Sequence, residues 1–244
     1  MTCEKRRVLL LSSSTVHGSP YLEYAADEIN TFLKESNVSR ILFVPYALRK
    51  YDEYTTKVSG PFEKMGFQIE SIHKSQDPVK AVNEAEAFYV GGGNTFQLLK
   101  TLYDNQLLDP IRKKVLQDGI PYIGSSAGSN VATISICTTN DMPIVYPPSF
   151  CALGLVPFNI NPHYLDANPE KHMGKIYMRR ERIQQYHEIP GVPPVAGLRE
   201  GCLLSIIGSK VTLKGLRSSR LFIPGKKAEE YEPGSDLSFL LKTN

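Results

Sequence analysis

The stretch Ile120-Pro121-Tyr122-Ile123-Gly124-Ser125-Ser126-Ala127-Gly128-Ser129 decides how this chain is read. It contains a G-x-S-x-G pattern, Gly124 to Gly128, with an apolar run before it (Pro121 to Ile123) and a helix-compatible run after it (Ala127 to Ile134). Strand, sharp turn and helix are the context in which that pattern carries chemistry. Small residues at 124 and 128 let the backbone bend without a clash and lift the middle serine out of the sheet. Ser126 then offers its hydroxyl at a helix N-terminus, where free N–H groups and the positive dipole end favour a developing negative charge. Ser126 is the candidate nucleophile. The competing reading is a glycine-rich turn with an incidental serine.

Working outward, the first half of the chain alternates strand and helix. Val8–Leu11, Ile41–Val44, Phe67–Ile72 and Ala87–Val90 read as strands, and Leu22–Leu33, Thr95–Leu102 and Leu107–Leu116 as helices. Asp118-Gly119 closes the last of these in a C-cap position. Strands spaced by helices predict right-handed crossovers and an α/β fold, a mainly parallel sheet flanked by helices. After residue 135 prolines cluster at 143, 147, 148, 157, 162 and 169, which predicts loop-rich chain. Helix returns near Ile176–Gln185. Val195–Leu198, Cys202–Ile207, Val211–Leu213 and Arg220–Ile223 then read as short antiparallel strands added at one side of the sheet. No linker or repeat breaks the chain, so residues 1–244 read as a single α/β domain.

Composition narrows the classes. The chain has 244 residues, 41% of them hydrophobic and 22% charged, which is ordinary for a globular protein with a large core. A net charge of +3, with only short basic clusters, does not argue for nucleic acid. There is no apolar run of membrane-spanning length, and the polar start Met1 to Arg7 does not read as a signal peptide. The four cysteines (Cys3, Cys137, Cys151, Cys202) have no metal-site spacing and read as reduced thiols of a cytoplasmic protein.

Ligands of open α/β sheets bind beyond the carboxyl ends of the strands. Three loops fall there: Ser12-Ser13-Ser14, Gly91-Gly92-Gly93-Asn94 and Gly124–Gly128. Neither glycine loop matches a nucleotide-binding fingerprint. Gly92 or Gly93, together with the N–H of Ala127, can form an oxyanion hole. A serine also needs a base. Among His17, His73, His163, His172 and His187, the best placed is His163, which follows the apolar run Leu153–Phe158 and the stiffening Pro162. The competing reading is a hydrogen-bonded structural histidine. For the carboxylate that orients the imidazole, Asp141 and Glu200 stay open, with Asp166 a weaker third.

Gly91–Asn94, Gly124–Gly128, Thr139-Asn140-Asp141-Met142-Pro143, Asn161-Pro162-His163 and Gly197–Gly201 occur in an order that resembles the peptidase E, or α-aspartyl dipeptidase, family over essentially the whole chain. The resemblance implies a flavodoxin-like fold similar to class I glutamine amidotransferases, with serine where those enzymes carry cysteine. It implies cleavage of dipeptides with an N-terminal aspartate, without a metal or other cofactor, by a monomer or homodimer. Carried over by motif, the nucleophile falls on Ser126, the base on His163, and the third member on Asp141 or Glu200. Bacterial members have a bulky aromatic before the serine, where this chain has Ser125. The segment Met178–Ile183 is similar to one bearing the arginine for the substrate β-carboxylate. Register points to Arg179, with Arg180 and Arg182 as alternatives, and Asn94 joins it as a substrate-binding candidate. A cyanophycinase-like or esterase activity on the same residues, or a silent binding module, are the other expectations. The proline-rich region 142–170 could serve as a lid.

Overall fold

The structure, a computed structural model, describes the backbone of residues 5–165 and 173–242, and the side chains of these except 173–179. Its centre is a seven-stranded sheet. β1 (Arg7–Leu11), β2 (Arg40–Val44), β3 (Gln68–Ser71), β4 (Phe88–Val90) and β5 (Tyr122–Ser125) run parallel in the order β3-β2-β4-β5-β1. The antiparallel pair β8 (Cys202–Ile207) and β9 (Lys210–Gly215) continues the sheet beyond β1.

Alternation along the strands assigns each face to one helical layer. Leu9, Leu11, Ile41, Phe43, Tyr89 and Ile123 pack against α1 (Ala26–Lys34) and α2 (Tyr51–Lys64). Val8, Leu10, Leu42, Val44, Phe88 and Val90 pack on the other face, against α3 (Pro78–Asn83), α4 (Thr95–Asp104), α5 (Leu108–Lys113) and α6 (Ala127–Ala132). The expected helix over 107–116 is shorter. After α5 the chain makes a π-turn, Lys114–Asp118, and Gly119 closes it with φ 79°.

Two helices were not predicted. In α2, Gly60-Pro61 argues against a helix, but Tyr54, Val58 and Phe62 at i, i+4 and i+8 are all buried, and that stripe outweighs the lost backbone bond at Pro61. In α3, Asp77 accepts from Lys80 N–H at 2.9 Å and Pro78 occupies the first turn.

The C-terminal strands also divide differently from expectation. Only β8 and β9 join the main sheet. β6 (Asn159–Asn161), β7 (Val195–Gly197), β10 (Ser219–Phe222) and β11 (Glu229–Tyr231) form a second sheet in the order β11-β10-β7-β6, with β6 and β7 parallel. Ile160, Ala196, Leu198 and Leu221 of this region share one buried cluster with Val8 and Leu10 of β1, so the two sheets meet across the core. α7 (Met173–His187) is the last α-helix among the described residues, and a short 3-10 helix, Ser238–Leu241, follows near the end of the described chain.

Packing around α6 is close enough to be tested by two glycines. A Cβ on Gly128 would land on the Val90 carbonyl, whereas one on Gly60 would meet nothing within 4 Å. Gly128→Ala should therefore lose about 2–3 kcal/mol through overpacking, while Gly60→Ala should gain up to about 1 kcal/mol of helix propensity. Urea unfolding of the two variants should move in opposite directions.

Candidate active site

β5 ends at Ser125, and the next residue turns sharply. Ser126 has φ 52° and ψ −108°, a backbone region that side-chain-bearing residues avoid. Several bonds hold it there. Ser126 N–H donates to Leu11 O at 3.0 Å, and Ser126 O accepts from Ser129 N and Asn130 N, both at 2.9 Å. The Ser129 hydroxyl lies 2.7 Å from Leu11 O and 2.8 Å from Gly124 O. Strand β1 and the first turn of α6 thus fix the serine from two sides.

The second sheet brings the partners. His163 sits on the turn after β6, also with a positive φ of 54°. Its Nε2 is 2.8 Å from Ser126 Oγ, and its Nδ1 is 2.8 Å from Glu200 Oε1, on the turn after β7. Parallel pairing of β6 with β7 is what brings the two turns to the same end. Ser12, fully buried at the end of β1, ties them together: its Oγ accepts from His163 N–H at 2.9 Å and donates to Leu198 O at 2.7 Å. Leu198 O also accepts from Tyr164 N, and Leu198 N donates to Asn161 O.

Gly92 and Gly93 close over the serine. A Cβ on Gly92 would stand 3.1 Å from Ser126 Cβ, and Gly93 has φ 136° with Ala47 O where its Cβ would be. Ala127 is the first residue of α6, so its N–H lies in the unpaired first turn. Tyr54 packs against the same glycine loop. Burial pushes its hydroxyl well above the ordinary phenol value, opposed in part by the Gly92 N–H. Gly92, Gly93, Ser126 and His163 share a cavity of about 500 Å³ with Tyr21 and Tyr54. A larger hollow of about 890 Å³ lies at the β3 edge, between residues such as Arg40 and Lys80, and none of these four residues lines it.

Two other candidates have different neighbours. The Asp141 carboxylate is engaged at the head of α4, where Oδ2 accepts from Thr95 N–H at 2.7 Å and from Thr95 Oγ1 at 2.5 Å. The carboxylate on His163 Nδ1 is that of Glu200. Asn94 caps α4 by accepting from Gln97 N–H at 3.0 Å, while its amide donates to Met142 O at 2.8 Å. Both ends of that side chain serve the loop rather than an open site. The Thr139–Pro143 segment is instead a brace: Asn140 donates to Pro162 O and accepts from Asn161, just before the histidine.

The side chain of Arg179, on α7, lies outside the described residues, as do Asp166 and His172. Arg180 and Arg182 are exposed, and Arg182 lines a separate groove of about 350 Å³ with Asn140 and Asn161. His73 lies against Ser71 and Asp52, and His187 against Pro193 O. Sequence reasoning placed Ser12 at the correct sheet edge without a role for it. The buttressing hydroxyl has no motif of its own.

Hydroxyl, imidazole and carboxylate in line on a strand–turn–helix elbow are the arrangement of nucleophile-and-base hydrolases as a class. The chain belongs to Peptidase family S51, whose family model matches residues 8–214. It is a peptidase, a hydrolase of peptide bonds. It is 52% identical over 238 residues to the "Probable alpha-aspartyl dipeptidase" of Drosophila melanogaster, covering 97% of this chain and 98% of that one. It is 48% identical over 235 residues to a peptidase E of Streptomyces coelicolor, covering 96% and 94%. Among solved structures, a peptidase from an acI-B1 Actinobacterium has the same fold, with a TM-score of 0.72 at 16% identity over 97% of this chain and 98% of that one.

If Asp141 acts as a cap for α4, Asp141→Ala should cost about 1–2 kcal/mol of stability, as loss of a helix N-cap does. The measurement is a chemical unfolding curve, with Asp109→Ala, an exposed carboxylate paired to Arg112, as the reference that changes little.

Proposed function

We propose that this peptidase is a serine-type α-aspartyl dipeptidase, hydrolysing the bond after an N-terminal aspartate through an acyl-enzyme. The observation that carries the reading is the relay of two 2.8 Å contacts, Ser126 Oγ to His163 Nε2 and His163 Nδ1 to Glu200 Oε1. The names of the two relatives support the substrate class. The core shared by both sheets supports residues 1–244 acting as one hydrolytic unit.

In this reading Glu200 holds His163 in the tautomer whose Nε2 accepts the Ser126 proton. Ser126 Oγ attacks the carbonyl carbon of the aspartyl residue. The oxyanion is stabilised by N–H groups of Ala127 and the Gly92–Gly93 loop, where one donor is typically worth about 10²–10³ in kcat. His163 passes its proton to the leaving amine, and the aspartyl group remains as an ester on Ser126. Water, deprotonated by His163, then releases aspartate and restores the hydroxyl. An arginine of α7, Arg179 by register, receives the substrate β-carboxylate as a bidentate pair.

The test is release of aspartate from Asp-Leu beside Glu-Leu and Asn-Leu. Wild type should cleave Asp-Leu in preference to both, with no effect of a chelator. Ser126→Ala should lower kcat by about 10⁴-fold or more. Glu200→Gln should lower kcat by up to about 10⁴-fold, whereas Asp141→Asn should retain most of it. Equal turnover of simple esters and neutral dipeptides by wild type would refute the selectivity, and loss of kcat in Asp141→Asn rather than Glu200→Gln would refute the assigned relay.

A further inference from the structure

One wall of the cavity at Ser126 has no part in the chemistry above. It comes from α2 and the segment leading into it, which contribute Lys50, Glu53, Tyr54 and Lys57. Lys50 and Glu53 pair with each other at 2.8 Å, both well exposed. Lys57 is exposed as well, but it has no ion pair among the described residues, and its ammonium lies 4.9 Å from the centroid of the Tyr21 ring. That ring is anchored in turn, with its hydroxyl 2.7 Å from Tyr89 Oη and 3.4 Å from Tyr54 Oη. Burial pushes the Tyr21 and Tyr54 hydroxyls upward, so neither supplies a negative charge to the lysine. The cavity that holds the nucleophile therefore holds, besides the Lys50–Glu53 pair, a lysine with no ion-pair partner among the described residues.

A dipeptide carries a charge that a longer peptide lacks at the same place, the free α-carboxylate of its second residue. Bringing that carboxylate into a cleft without a cation is costly. It turns about the φ and ψ of the second residue, so its place is less fixed than that of the scissile carbonyl. A lysine suits such a partner, because its compact charge swings on a four-carbon stem, whereas the planar fork of arginine suits a carboxylate in one fixed place. We propose that Lys57, seated on Tyr21, receives the α-carboxylate of the leaving residue and so selects dipeptides over longer peptides. The proposal rests on the dipeptidase reading.

Three substrates separate the possibilities: Asp-Leu, Asp-Leu-amide, which lacks only the terminal charge, and Asp-Leu-Leu. Wild type should prefer Asp-Leu to both others. Lys57→Met keeps the apolar stem on Tyr21 and removes the charge. It should raise KM for Asp-Leu by roughly 10- to 100-fold, the usual worth of a hydrogen bond to a charged group, with kcat within about twofold. It should lower the preference for Asp-Leu over Asp-Leu-amide by the same factor, and Lys57→Arg should restore most of it. An equal loss on Asp-Leu and Asp-Leu-amide would overturn the proposal, since the lysine would then serve the aspartyl half or the cavity wall. Wild-type cleavage of Asp-Leu that Lys57→Met leaves unchanged would overturn this proposal alone. Wild type inactive on Asp-Leu would overturn the dipeptidase reading with it.

Discussion

The positive φ of Ser126 is the constraint on which the rest of the site depends. A serine does not adopt that backbone unless its surroundings over-determine it. Here Leu11 O holds its N–H, two amides of α6 hold its carbonyl, and Gly92 lies flat against its Cβ. Each of those supports has a requirement of its own. Gly124 and Gly128 have no side chain because α6 lies directly on β5 and on the carbonyl of Val90. The Tyr122 hydroxyl, buried in the sheet, donates to Gly128 O and fixes the same contact from behind. The residues of the G-x-S-x-G pattern are thus one mechanical unit, from which Ser126 faces the cavity.

The imidazole is placed by different means. His163 and Glu200 belong to the second sheet, whose strands are short and which is tied to the first by a shared core and by the hydroxyls of Ser12 and Ser126. The Ser12 hydroxyl satisfies an N–H on the histidine turn and a carbonyl at the start of the glutamate turn. A buried polar group with both bonds made is rigid, and either bond lost leaves an unsatisfied partner. Registry between nucleophile and base is therefore set at the end of β1, the strand next to β5, rather than within the second sheet.

The main sheet was legible because its strands announce themselves: Val8–Leu11, Ile41–Val44 and Ala87–Val90 are apolar on both faces, as parallel strands between two helical layers must be. The nucleophile was legible because its backbone demands glycines at fixed spacing. The third carboxylate was not, because Asp141 and Glu200 both lie on turns near strand or helix ends and nothing in their spacing says which one the imidazole meets. α2 was illegible because Gly60-Pro61 outweighs a buried stripe when only propensity is read. The split of the C-terminal strands into two sheets depends on pairing between β6 and β7, which are separated by the whole of α7. Such long-range pairing leaves no local mark.

The place of β1 has a consequence for how the chain is made. Its neighbours are residues 122–125 on one side and 202–207 on the other. A ribosome releases Val8–Leu11 well before Cys202–Ile207, the strand that covers its second edge. Until that strand emerges, this apolar strand has an open edge, able to pair with any extended chain nearby. Closure of the sheet is a late, long-range event of the kind that slows folding. A nascent chain stalled before residue 202 would already contain Ser126, His163 and Glu200, yet it would still be a hazard to its neighbours.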